Sequence, residues 1–290
     1  MSTLSVVMVV SSDPSDIYFA NQLARRLGAA AVVMEDQQVP VPMAKRVAKL
    51  GQKLLRPWEI PGLLRERRIV AEHVRRSSAI DRAGFGDDGY RLQLPDSCRV
   101  IRVSGKNSVN LPATVAAVRE LAPDLLLLCG CSIVKQELLS VPRLGALNLH
   151  GGLAQKYRGV WTTLWAVVNR EPEYVGATVH FVSAGIDDGD IIFQGRPGIE
   201  AGDDPESLYV KVVKLGVEMM VAAVGSLASG EVRRYRLEER GELYLSRMVT
   251  PAVLEKAWLA IEDGVIPAYL AAKNERDQPV VACMRGYFSP

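Results

Sequence analysis

Asn148 and His150 stand two residues apart in "LNLHGGLAQKYRG", Leu147 to Gly159. In a strand, alternate side chains share a face, so these two project together while Leu147 and Leu149 pack the other way. An amide and an imidazole side by side are a pair of hydrogen-bond donors suited to an oxyanion developing at a carbonyl carbon. Taken alone, Asn-x-His is a weak signal that reads first as polar groups satisfying loop backbone. A second cluster sharpens it: "SAGIDDGDII", Ser183 to Ile192, puts Asp187, Asp188 and Asp190 in a glycine-bearing loop between two β runs. Such a loop suits a hairpin turn, and it lacks the distal Glu of a calcium hand. An aspartate that reached His150 would orient the imidazole and fix its tautomer.

The surrounding elements place these residues at the edge of a parallel sheet. Leu4 to Val10 is a β-rich run, "SSDPSD" supplies helix caps, "IYFANQLARRLG" closes on glycine, and "AAAVVME" is a second strand. That βαβ rhythm resumes in "CRVIRVS", "LPATVAAVRELA", "DLLLLCG" and "GALNLH", the last ending on the candidate pair. Open α/β sheets bind ligands at this end of their strands. Gly151 and Gly152 are expected to turn the backbone and leave room for a substrate. A helix through "WTTLWAVVN", a β pair "YVGATVHFVS" and "DIIFQGRPGI", and a long helix opened by Asp204 and Pro205 follow. The fold class is therefore α/β: a Rossmann-like, mostly parallel sheet flanked by helices, with a small C-terminal appendage. The expected division is a catalytic domain over 1–235, carrying a basic helical insertion at 43–83, and a mostly helical appendage over 236–290.

In the insertion, ten Lys or Arg between Met43 and Arg76 face three Glu, and apolar spacing suggests two helices broken at "RPWEIPG". Such a charge run reads first as a solvated face. The whole chain, 290 residues with 35 basic against 33 acidic side chains, carries only +2, so nothing global argues for nucleic acid or an anionic membrane. The short apolar run at the N-terminus has no basic flank and is far below the roughly 20 residues of a membrane span. Cys98, Cys129, Cys131 and Cys283 form neither a disulfide framework nor a zinc site, and the expected location is cytoplasmic, with no metal. His180, inside a β run, reads as a core histidine, and Trp161 and Trp165, at helical spacing, read as packing residues.

In order along the chain, "PDLLLLCG", "GALNLHGGLAQKYRG", "WAVVNREPEYVGATVHF" and "AGIDDGDII" together resemble the folate-dependent formyltransferases, from about Asp124 to Gly198. The resemblance implies Asn148, His150 and Asp187 as the catalytic trio; Asp187 is selected because the family's acid directly follows the apolar residue matching Ile186. It implies 10-formyltetrahydrofolate as donor. The pterin would then lie against Cys131, Ser132, Ile133 and Val134 and against Val182, Ser183, Ala184 and Gly185.

Departures from the family pattern bear on the acceptor. "SSDPSD" has no glycine where the glycinamide ribonucleotide enzymes grip phosphate. The residues after Arg236 are few and look helical, unlike a tRNA-binding β-barrel. "GGLAQKYRG" replaces the Pro-Ser-Leu-Leu-Pro of many relatives. "NLHG" and "KYRG" are similar to the sugar-nucleotide N-formyltransferases, which makes an amino-sugar nucleotide the leading acceptor. Hydroxyornithine-like or amino-acid amines, hydrolysis of the formylfolate and non-catalytic folate binding are the alternatives. The segment 43–76 would offer contact with a phosphate or an anionic carrier lipid, and a homodimer remains open.

Overall fold

The computed structural model describes residues 4–37, 57–183 and 185–289. The first expected basic helix, with Lys45, Lys49 and Lys53, and Ala184 lie outside them. The chain opens with β1 (Val6–Ser11), α1 (Pro14–Leu27) and β2 (Ala31–Asp36). After α2 (Ile60–Phe85) come β3 (Arg99–Ser104), α3 (Pro112–Glu120), β4 (Leu125–Cys129), α4 (Gln136–Leu139) and β5 (Ala146–His150). Beyond these lie β6 (Tyr157–Gly159), α5 (Thr162–Val168), β7 (Ala177–Phe181), β8 (Ile191–Gly195) and α6 (Pro205–Ser229).

Seven strands form one sheet in the order β3-β2-β1-β4-β5-β7-β8. The first five run parallel, and β7 and β8 join antiparallel. The continuous apolar text of β4, "LLLLC", follows from burial on both faces. Leu125 and Leu127 share a cluster with Leu147, Leu149 and the α6 residues Leu208, Val212 and Met219. Leu126 and Leu128 face the other way with Ala146, Val115 and Val118 of α3, and Leu138 of α4. Strand alternation then puts Asn148 and His150 on the face of Ala146, at the C-terminal end of β5.

Helix α6 begins where the sequence announces it. Asp204 Oδ1 accepts from the backbone N–H of Glu206 at 3.0 Å and of Ser207 at 2.8 Å, and Ser207 Oγ accepts from the Asp204 N–H at 2.9 Å. By length and hydropathy alone this helix could cross a membrane, but Leu208, Val212, Met219 and Met220 are buried in the core cluster. The second half of the basic insertion is the single helix α2, in which only His73 and Phe85 are buried. Phe85 and Ile80 pack it against Tyr18, Val210 and Val213, and Arg65 pairs with Glu255 at 2.8 Å.

The C-terminal segment contains β9 (Glu242–Tyr244), α7 (Pro251–Glu262), α8 (Val265–Ala271) and α9 (Lys273–Cys283). It is joined closely to what precedes it. β9 pairs in parallel with β6, from Tyr157 opposite Glu242 to Gly159 opposite Tyr244, and Val265, Ile266 and Tyr269 belong to the main core cluster. Because Asp204 satisfies two free N–H groups of α6, Asp204→Ala is expected to cost about 1 kcal/mol. In thermal denaturation this appears as a midpoint lowered by on the order of 2 °C, and Asp204→Asn should recover most of the loss.

Candidate active site

The loop between β7 and β8 folds back over the end of β5 and brings Asp187 to both candidate donors. Asp187 Oδ2 lies 3.3 Å from His150 Nδ1, and Oδ1 accepts from Asn148 Nδ2 at 3.3 Å. The backbone N–H of Gly159 donates to Oδ2 at 2.8 Å. The three residues singled out from sequence therefore meet. Burial pushes the Asp187 carboxyl upward, but the charge of His150, the hydrogen bond and charge of His180 and the Gly159 N–H outweigh it and hold the group well below the usual carboxylate range. Its backbone is left-handed, φ +48°, a conformation costly for a non-glycine residue and often found at functional sites.

The neighbouring acids have other partners: Asp188 accepts from the Ser183 hydroxyl and pairs with Arg240 at 3.1 Å, and Asp190 is exposed. Arg158 pins the loop by donating from Nη1 to the Ile186 carbonyl at 3.2 Å and from Nε to the Gly241 carbonyl at 2.9 Å.

His150 is 4% exposed, and both of its ring nitrogens face acceptors. A carbonyl only accepts, so the 2.8 Å contact with the Tyr157 carbonyl places a proton on Nε2. Nδ1 faces Asp187. The chain bends at Gly151 and Gly152, as expected, without a left-handed backbone at either. Gly152 also serves the imidazole: a Cβ there would lie 2.8 Å from His150 Nε2. Gly159 has φ +89°, and a Cβ would meet the Tyr244 carbonyl at 2.0 Å; only glycine presents its N–H to Asp187 in this position.

His180 is also more than a core histidine. It is buried, but β5 and β7 pair with Asn148 directly opposite it. Its Nδ1–H donates to the Phe181 carbonyl at 2.8 Å, which leaves Nε2 3.2 Å from Asn148 Nδ2 and 3.5 Å from Asp187 Oδ1. The two tryptophans also part company. Trp165 is buried and stacks on Tyr244 with centroids 4.5 Å apart. Trp161 precedes α5 with a left-handed backbone, so helical spacing does not govern it, and it is 45% exposed.

The residues expected against a pterin fall on one side of β5. Val134 shares an apolar cluster with Leu128, Leu138 and Ala146, against which Cys131 and Val182 pack. Burial pushes the Cys129 and Cys131 thiols up, which keeps them protonated and inert. Ser132 is buried: its N–H donates to Glu35 Oε2 at 2.8 Å, and its Oγ accepts from the Asn107 N–H at 3.0 Å. Ile133 is exposed, and its carbonyl accepts from Asn110 Nδ2 at 3.0 Å. Val182 and Ser183 line a cavity of about 760 Å³ with Ala146, Asp188, Arg234 and Arg240; Gly185 is exposed. Among the described residues no cluster could hold a metal ion.

The opposite side of the site is acidic. Asp16 accepts from the Ser11 hydroxyl at 2.6 Å, and burial pushes it up to about 6 against the pull of that bond. Tyr209 donates to Ser15 Oγ at 3.2 Å, and its ring lies beside Gly151. Asp81 of α2 is pushed up to about 6 by burial and by the charge of Asp13. Glu206 rises to about 7 through burial, then the charges of Asp81 and Asp204.

Comparison with known proteins shows what the chain is similar to in sequence and fold. Residues 67–224, more than half of the chain, match the family described as formyl transferase. Methionyl-tRNA formyltransferase of Methylacidiphilum infernorum is 32% identical over 128 residues, 44% of this chain and 40% of that protein. The enzyme of that name from Caldanaerobacter subterraneus is 32% identical over 202 residues, 69% of this chain and 60% of that one. The match thus spans less than two thirds of these relatives. In fold, the chain is similar to a 4-N formyltransferase from Francisella tularensis (TM-score 0.51, 16% identity, 85% of this chain and 78% of that one). It is also similar to phosphoribosylglycinamide formyltransferase from Anaplasma phagocytophilum (TM-score 0.51, 15% identity, 84% and 100%). An N-formyltransferase from Helicobacter canadensis, solved with folinic acid and dTDP-3-aminofucose, gives TM-score 0.51 at 11% identity over 87% and 79%.

Glu206 carries a pH prediction. Its folded-state value, about 7, stands above the ordinary 4.5, so the native state holds the proton more tightly than the unfolded chain. Stability is therefore expected to fall as pH rises from about 4.5 to about 7. Glu206→Gln should leave urea denaturation at pH 4 unchanged and stabilise the protein at pH 8 by on the order of 1–3 kcal/mol. Equal effects at both pH values would show that the carboxyl is not perturbed.

Proposed function

We propose that this chain, which belongs to the formyl transferase family, transfers a formyl group from 10-formyltetrahydrofolate to the primary amine of a small acceptor. The observation that supports this best is the meeting of Asn148, His150 and Asp187 at the end of β5. As the neutral amine adds to the formyl carbon, the carbonyl oxygen becomes an oxyanion. Asn148 donates an N–H to it, and the His150–Asp187 pair supplies a preorganised polar environment at short range. Asp187, through water, takes part in moving the proton lost by the amine towards the nitrogen that releases the formyl group. The apolar cluster of Val134, Leu138, Ala146 and Val182 fits the flat pterin of the donor, and the adjoining cavity gives it room.

For the acceptor we favour an amino-sugar nucleotide. The "NLHGG…KYRG" text and the similarity in fold to an N-formyltransferase solved with dTDP-3-aminofucose support this reading. The curated relatives favour methionyl-tRNA as the second reading, against which stands a net charge of only +2.

The test is to incubate purified protein with 10-formyltetrahydrofolate and, in turn, amino-sugar nucleotides, hydroxyornithine, amino acids and methionyl-tRNA, and to follow formyl gain by mass spectrometry. A formylated sugar nucleotide is expected. Formyl-methionyl-tRNA alone would replace the acceptor, and folate release without any amine would make the protein a hydrolase. In the active reaction, Asn148→Ala should lower kcat by about 10²–10³ with folate still bound; near-wild-type single-turnover transfer by that variant would remove Asn148 from the chemistry.

A further inference from the structure

Trp161 combines three features that packing alone does not account for. Its indole is 45% exposed, while Trp165, on the same segment, is buried. Its backbone is left-handed, φ +60° and ψ 29°, which is unfavourable for a bulky L-residue and which glycine would adopt without cost. It is also fixed on both sides to the catalytic machinery: two residues before it, Gly159 donates to Asp187, and immediately after it Thr162 donates to the carbonyl of Gly151, next to His150. The fold thus holds a large, partly open aromatic ring within a few residues' length of the reacting groups.

The ring is braced. His73, the one buried polar side chain of α2, lies with its centroid 5.7 Å from Trp161. His73 in turn accepts at Nδ1 from the Trp258 indole N–H at 3.4 Å, and the Arg76 guanidinium covers Trp258 at 4.6 Å. The inserted helix and α7 therefore stiffen the indole and leave nearly half of it open. A rigid, exposed indole is a stacking surface for planar rings.

We propose that Trp161, backed by His73, is the platform on which the nucleobase of the acceptor stacks. This rests on the amino-sugar nucleotide reading of the preceding section and adds the residue that recognises the base. Stacking tolerates any base, so the platform selects nucleotides as a class, and other contacts choose among them.

The probes are UDP, dTDP and GDP, titrated calorimetrically into the wild type, Trp161→Phe and Trp161→Gly, with folinic acid as the control ligand. Glycine removes the ring and suits the left-handed backbone, so the fold is not put at risk. The wild type should bind at least one diphosphate, Trp161→Phe should stay within about threefold of it, and Trp161→Gly should bind on the order of tenfold to a hundredfold more weakly. Folinic acid affinity should be the same in all three. Equal nucleotide affinity in Trp161→Gly would overturn the platform, and so would a loss of folinic acid binding that parallels the nucleotide loss. If no diphosphate binds the wild type, the platform falls; formylation of a sugar nucleotide in the activity assay would then show that the acceptor reading survives without it.

Discussion

A single buried anion organises this site. The Asp187 carboxylate is taken out of water and compensated by His150, by the amide of Asn148, by His180 and by the backbone N–H of Gly159. An ionised group in such surroundings persists only when its oxygens are paired and hydrogen-bonded. The partners come from β5, β6 and β7, so the carboxylate binds three segments that are distant in sequence. It also offsets the left-handed backbone at Asp187, whose cost is on the order of 1–2 kcal/mol, and it gives β6 a reason to lie where it does. The short pairing of β6 with β9 then draws the C-terminal segment to the same place.

The two sides of β5 are built for different chemistry. Towards β4 and α4 the surfaces are apolar, and the backbone of Ser132 and Ile133 is occupied by Glu35 and Asn110 while the Ser132 hydroxyl accepts from the Asn107 N–H. A flat heterocycle there would meet a preformed wall. Towards α1, α2 and α6 the surfaces carry Asp13, Asp16, Asp81 and Glu206, all four shifted towards neutrality by burial. Asp13 and Asp16 at the start of α1 and Glu206 in the first turn of α6 lie where a helix dipole favours negative charge. Burial opposes that effect, and the upward shifts show that burial wins. α2 closes this side, with Asp81 facing the acidic groups and His73 facing Trp161.

Much of this arrangement could be read from residue order. Period-two alternation identified Asn148 and His150 as neighbours on one face, and the "DPES" text marked the start of α6; both are local rules acting within one element. Asp187 could not be separated from Asp188 and Asp190 by local rules, because the choice depends on where Gly159, Arg158 and Arg240 meet the loop. His180 is the buried, hydrogen-bonded strand histidine that its sequence suggests, yet its second role was not legible for a related reason. Its burial was legible, but its position opposite Asn148 is a matter of antiparallel register between β5 and β7. Gly152 was expected to turn the chain and leave room for a substrate; its lack of a Cβ also clears the His150 imidazole, which only the path of the chain reveals. Trp161 looked like a partner of Trp165 because a spacing of four implies one helical face; the implication fails where the first residue lies outside the helix.

The hydrogen-bond inventory decides how the oxyanion is met. His150 has two ring nitrogens, one committed to the Tyr157 carbonyl and the other facing Asp187, and the ring is 4% exposed. Without a rotation that would abandon both partners, it would act in the proposed transfer through its field. In the proposed transfer direct donation would fall to Asn148, whose Nδ2 contacts with His180 and Asp187 are 3.2 and 3.3 Å. Both are long against the usual 2.9–3.0 Å, so both are weak. A charge-assisted bond is about twice as strong as a neutral one, so in the proposed transfer a developing oxyanion would displace the long contact of the amide with His180. Asp187 would retain the other, which would keep the amide oriented. The looseness of the resting contacts suits that proposed role: they would orient the amide nitrogen and release it as charge appears.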